Sequence, residues 1–167
     1  INNDLANTIG NLLNRTSSMS RKWFDNRVPS NEMLSKDNTL ELYAKKTVEN
    51  YFRHFNSYEL DLAANVILSL AINTNLYLNE KQPWTLIKDE KNIPLVSNII
   101  YNVLESTRIV GLLLLPILPN LSSKIDQQLG LLYNEKESWE NQLDWGKLIH
   151  ESILPAPHPV IEKLEYE

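Results

Sequence analysis

Asn11 and Arg15 stand four residues apart in the opening stretch of the chain, so on a helix their side chains project side by side. An amide that both donates and accepts hydrogen bonds, next to a guanidinium with a planar fork of donors, suits the edges and faces of nucleic-acid bases. Ser18 and Lys22 continue that row. The same pattern is also that of an ordinary solvated helix face, and spacing alone leaves both readings open. Trp84 is the third residue of interest. It follows Pro83, which ends a helical run because proline disfavours helical conformation in the residue before it, and the indole is thereby placed at a corner. There it either closes one end of the core or offers a flat π face to a ligand. All of this is the chemistry of recognition. No Gly-rich phosphate loop, paired catalytic carboxylates or Ser/His/Asp set is evident, and His54, His150 and His158 are scattered without metal-ligand spacing. The expectation is therefore no catalytic residue, no metal ligand and no cofactor in this stretch of chain.

The elements that must position these residues read as helices. From Asn2 to Trp23 the apolar residues Leu5, Ile9, Leu12, Met19 and Trp23 recur at three- and four-residue steps, with polar Thr16 in the same row. Turn formers follow up to Asn38, and Lys36 among them reads as a surface lysine. A second amphipathic helix spans about Thr39 to Phe55, and a third, capped by Asn56 or Ser57, runs to about Glu80. Leu60, Ala63, Ala64, Ile67, Leu68, Ala71, Leu76 and Leu78 are its candidates for burial. Asn73, Asn75, Tyr77 and Asn79 bring unusual polarity to its second half. Pro83 can also start a short helix over Thr85 to Asp89. Pro94 opens a fourth long helix reaching Leu114, whose wide aliphatic face implies the centre of a bundle. Arg108 is its lone late charge and is expected to pair with an acid or cap carbonyls. Asn120 or Ser122 begins a fifth helix that Gly130 can end. One helical turn is expected around Trp139. The fold class is all-α, a bundle of about five main helices over residues 1–152, with an extended, proline-rich tail over 153–167.

With 167 residues the chain is long enough for one domain with a substantial core. The absence of cysteine excludes a disulfide framework and a thiolate metal site. The apolar run from Ile109 to Leu118, broken by Gly111 and Pro116, falls short of a bilayer span and reads as core, so no membrane partner is expected. A net charge of −5 argues against a general binder of polyanions. Distribution qualifies the sum: Arg15, Arg21, Lys22 and Arg27 fall together near the start, while acids crowd the end from Glu135 onward, so a local basic patch is compatible with the total. The opening INNDLAN, without an initiator Met or a signal pattern, reads as a piece of a longer protein.

NDLANTIGNLLNR, taken with NEKQPW at residues 79–84, closely resembles the anticodon-binding domain of methionyl-tRNA synthetases, which are class I aminoacyl-tRNA synthetases. ILPNLSSKIDQQLG and the following LDWG are similar to the family as well. The resemblance implies the helical bundle of that domain type, with Asn11, Arg15 and Trp84 contacting the CAU anticodon of methionine tRNA. It further implies a cytoplasmic parent enzyme that uses ATP to join methionine to that tRNA, and an upstream catalytic domain of the same chain as a second partner. The tail is then expected to pack against that catalytic half and to be loosely held here. EMLSK at residues 32–36 is only partly similar to the KMSKS loop of class I synthetases and is set aside, because Glu32 replaces the first Lys and that loop precedes this domain in the family. Two other readings stay open at this point. One is the corresponding domain of a class I synthetase for another aliphatic amino acid; the other is a helical protein-interaction module anchored by Trp84, Trp139 and Trp145. For one reading site to form, the first and third helices must be neighbours. Lacking nucleotide-binding motifs, residues 1–167 alone are expected to give no methionine-dependent ATP–pyrophosphate exchange, and measurable exchange would overturn that reading.

Overall fold

The computed structural model describes residues 2–30, 37–130 and 134–156. In chain order its helices are α1 (Asn2–Trp23), α2 (Thr39–Asn56), α3 (Leu60–Lys81), α4 (Pro83–Leu86), α5 (Ile93–Leu114), α6 (Pro119–Leu129) and α7 (Trp139–Gln142), with one 3-10 turn at Glu90–Asn92. Five of these are long and two are single turns. Among the described residues the only β pairing is one antiparallel bridge between Arg27 and Ile153.

The aliphatic helix becomes the axis of the fold. Every residue of α5 from Val96 to Leu114 is buried, and α1, α2, α3 and α6 all pack on it, while α2 and α3 form a hairpin. The inner stripe of α1 is the expected one: Leu5, Ile9, Leu12 and Thr16 are buried, and Met19 and Trp23 are partly so. Thr16 satisfies its hydroxyl on the Leu12 carbonyl one turn back, so it costs the core little.

The α2–α3 boundary differs from the sequence reading. Ser57 ends α2 instead of starting α3: its amide bonds to His54 O and its hydroxyl to Arg53 O, so no side chain is left to cap the next helix. Tyr58 then reverses the chain with a φ of 60°. The rotation of α3 also differs. Leu60 and Leu76 are 50% and 49% exposed, and Leu70, Thr74 and Tyr77 take the inner face, because α3 must meet α1, α2 and α5 at once. Similarly, α6 starts at Pro119 without a cap from Asn120 or Ser122. Ser122 donates to Gly111 O at 2.6 Å, where a Cβ on Gly111 would meet Ile125 at 2.9 Å, so a glycine is what allows α6 to approach α5 this closely. Gly130 ends α6 in the left-handed region, as expected.

Arg108 does both things expected of it. Its Nε and Nη2 bond to the Glu105 carboxylate at 2.8 and 2.6 Å, and its two Nη groups reach Gln142 O and Asp144 O. Glu105, fully buried, also accepts from the amides of Gly146, Lys147 and Leu148 at 2.7 to 3.1 Å. One helical turn of α5 thus holds the whole 142–148 segment. The chain then runs alongside the exit of α1: Val28 N bonds Ser152 O, Glu151 N bonds Val28 O and Leu154 N bonds Asn26 O. The start of the tail is extended but not loosely held, for Leu154 is fully buried and Asn26 also donates to its carbonyl at 2.6 Å. The EMLSK stretch with Lys36, and residues 157–167 of the tail with His158, lie outside the described residues.

Removing one member of a buried ion pair leaves the other charge uncompensated, typically at ~3–5 kcal/mol. Glu105→Ala is expected to lose about that much, with Glu105→Gln losing less because an acceptor remains. The midpoint of urea unfolding at unchanged m-value measures both.

Candidate nucleic-acid interface

The three residues singled out in sequence come from two helices and a corner. α1 and α3 are neighbours, as one reading site requires. Gln82 takes up a left-handed conformation at the end of α3, with φ 48° and its amide on Leu78 O, and buried Pro83 begins α4. This puts Trp84 on the outside of the corner, 39% exposed.

Arg15 reaches from α1 across to α3. Its Nη1 donates to Asn75 Oδ1 at 3.1 Å and its Nη2 to Asn79 Oδ1 at 2.9 Å. Asn75 and Asn79 stand one helical turn apart, so a single guanidinium spans both. Its Cζ lies 5.5 Å from the centre of the Trp84 ring, within cation–π range. Arg15 and Trp84 are thus brought together. Asn11, one turn earlier on α1, is exposed, and its side chain hydrogen-bonds to no described residue. Its amide remains open to a ligand beside the pair.

Asn75 and Asn79 were not singled out as site residues from the sequence. The signal was present as unexpected polarity late in an apolar helix, but nothing in the spacing connected it to Arg15 sixty residues earlier. Nearby, Lys81 bonds Asp37 at 2.7 Å, and Asp37 also accepts from the Thr39 amide and the Tyr77 hydroxyl, so the end of α3 is fastened to the start of α2. Burial raises the Asp37 pKa. The hydrogen bonds from Lys81 and Thr39, together with the Lys81 charge, outweigh that and hold it down to about 2.

A hollow of about 160 Å³ lies elsewhere, between α5 and α6, and is too small for a nucleotide. Among the described residues no three His, Cys, Asp or Glu side chains gather to hold a metal ion, and no helix is long and apolar enough to cross a membrane. The arrangement can stack a planar group and hydrogen-bond to its edges.

Residues 28–165 match the family model for the anticodon-binding domain of methionyl-tRNA ligase. The chain belongs to that family. It is 35% identical over 99% of its length to a methionine–tRNA ligase of Nostoc sp., covering 32% of that protein, and 34% identical over its whole length to one of Bacillus subtilis, covering 25%. The chain therefore spans about a quarter to a third of the curated relatives it matches. Two solved structures of methionyl-tRNA synthetase from Mycobacterium tuberculosis share its fold. The free form gives a TM-score of 0.86 at 30% identity, over 99% of this chain and 34% of that one. The form bound by methionyl-adenylate gives 0.81 at 32% identity, over 96% and 32%. The family model includes Asn75, Asn79 and Trp84, while the alignments to whole relatives take in α1 with Asn11 and Arg15 as well. Family membership sets aside the domain of another class I synthetase. Trp139 and Trp145 are partly buried against the core, Trp139 donating to Leu112 O at 2.8 Å, so only Trp84 of the three has the exposure an interaction anchor needs.

Because its pKa is lower folded than unfolded, Asp37 stabilises the fold above the ordinary carboxylate value of 3.8, and this contribution is lost as pH falls toward about 2. Asp37→Asn is expected to lower the melting temperature at neutral pH and to flatten its fall over that acid window. Melting curves of both proteins against pH test this.

Proposed function

We propose that this domain reads the CAU anticodon of methionine tRNA through Asn11, Arg15 and Trp84, and so presents that tRNA to a catalytic domain elsewhere in the parent chain. Sequence-specific RNA recognition works mainly on unpaired bases splayed out for stacking and edge hydrogen bonds, and an anticodon loop is such a target. The observation that carries the reading is the Arg15 guanidinium held at once by Asn75 and Asn79 and against the Trp84 ring. It makes a preorganised platform: the indole is backed by a cation and is 39% exposed toward solvent, where a base can stack, and Asn11 lies one turn away to meet a base edge.

The parent, on this proposal, is a cytoplasmic methionine–tRNA ligase that uses ATP to attach methionine, and its chemistry lies outside residues 1–167. The supports are the family match and the ligases that align along the chain. The division proposed is a helical reading domain over 1–152 and an extended tail over 153–167, whose start is fastened at Leu154.

Stacking on an aromatic side chain is worth ~1–3 kcal/mol per base, or about one to two decades in affinity. Trp84→Ala in the parent enzyme is expected to weaken tRNA binding by that much with little change in melting temperature, since the ring is exposed. Arg15→Ala should flatten the preference for CAU over single-base anticodon variants, and Asn79→Ala should do so more weakly, because the guanidinium keeps Asn75. Aminoacylation efficiency on the CAU tRNA and its variants, alongside melting, checks all three. A severe melting loss for Trp84→Ala with the anticodon ranking intact in every variant would mean that the tryptophan is core and the site does not exist.

A further inference from the structure

The charge on α1 is arranged in a way that base reading does not use. From Leu5 to Phe24 the chain holds three cations, Arg15, Arg21 and Lys22, and no acid, although the whole chain carries a net charge of −5. Elsewhere four of the described cations pair with carboxylates: Lys45 with Glu41, Lys81 with Asp37, Arg108 with Glu105 and Lys147 with Glu137. Arg21 and Lys22 are exposed and form no ion pair with any described residue. Lys22 lies on the same outer row as Asn11, Arg15 and Ser18, two turns beyond Arg15, which is about 10 Å along the axis. Arg21 stands next to it. At the other end of the same face is Asp4. Exposed Asp25 follows just after the helix, so the end of α1 carries two cations against one acid, and a polyanion whose base occupied the Trp84 corner would meet repulsion from Asp4 at the start of the helix and net attraction at its end.

We infer that the C-terminal end of α1, through Arg21 and Lys22, binds backbone phosphates of the RNA whose bases the Asn11–Arg15–Trp84 surface reads. This rests on the reading proposed above. It adds where the strand runs: from the corner along the outer face of α1 toward Trp23. Phosphate contacts fix register and orientation without carrying sequence information, so these two residues position the loop and leave base choice to the neighbouring surface. The rival role of basic residues in a last helical turn is to offset the partial negative charge of the helix end, which is an effect on folding and not on RNA.

Salt dependence separates the two roles. For single strands the logarithm of the binding constant falls with the logarithm of salt concentration by ~0.7 for each phosphate contact, so each contact removed makes the slope shallower by that amount. Residues 1–167 are titrated with labelled stem-loop RNAs bearing CAU or single-base variants in the loop, at roughly 50 to 200 mM salt. Arg21→Gln/Lys22→Gln is expected to make the slope shallower by about 1.4, with Lys22→Gln alone giving about half of that, while the ranking of loops is unchanged. Lys45→Gln/Lys46→Gln, which removes the same charge from α2, should leave the slope as it is. An unchanged slope in the α1 variants overturns the inference and assigns the two cations to the helix end. An equal shift in the α2 control overturns it as a general charge effect, and loss of the loop ranking overturns the division between positioning and reading. A wild-type chain that fails to prefer the CAU loop at low salt overturns the earlier reading instead, and this inference falls with it.

Discussion

A carboxylate with no access to water sits in the middle of α5, and much of the structure is arranged to satisfy it. Glu105 takes two hydrogen bonds from Arg108 on its own helix and three from backbone amides of residues 146–148. Arg108 in turn takes the carbonyls of Gln142 and Asp144. Neither charge is tolerable in such surroundings without all these partners, since the desolvation of each ion is worth several kcal/mol. The segment from 142 to 148 is therefore not free to lie elsewhere. With it held, His150 stacks on Tyr101 at 4.6 Å and residues 151–154 run beside 26–28, at the exit of α1. A charge pair on the central helix thus ties the last described segment to the first helix. α1 is held along its inner stripe by the core and at its exit by the tail, which fixes the direction in which Arg15 points.

The clamp on Arg15 is made of amides, and the choice of group matters. Two aspartates in place of Asn75 and Asn79 would satisfy the same donors but cancel the guanidinium charge. Asparagine oxygens orient it and leave the charge in place. Two of the five donors are used within the protein, so the remainder can face a ligand. The platform also stands on long helices and a proline corner, not on a mobile loop, so little rotamer freedom remains to be lost when a base arrives. An acidic chain can then present a locally cationic surface, because Arg15, Arg21 and Lys22 share one stretch of α1, from Leu5 to Trp23, that holds no acid.

Much of this was legible in the chain itself, and the exceptions share a cause. Periodicity alone identifies the inner stripe of α1 and the wide aliphatic face that puts α5 at the centre, and Pro83 and Gly130 mark where helices must stop. Sequence misplaces the caps of α3 and α6, because a serine at a helix boundary can bond backward as readily as forward. Ser57 turns to Arg53 O and Ser122 to Gly111 O, choices that depend on which carbonyl lies near. Leu60 and Leu76 are exposed against the sequence expectation, because an aliphatic-rich helix has several rotations that look alike in sequence. Packing against three neighbours selects one of them.

Residue type and spacing determined on their own that this is an all-α chain, that Asn11 and Arg15 share a helix face, and that Trp84 stands at a corner. Those facts follow from bonds and sterics within a few residues. Tertiary structure decided that the Arg15 guanidinium lies against Trp84 and between Asn75 and Asn79, and that Glu105 reaches amides more than forty residues away. Such contacts join segments whose relative position depends on how whole helices rotate and slide to bury their apolar faces, and no local pattern records that outcome.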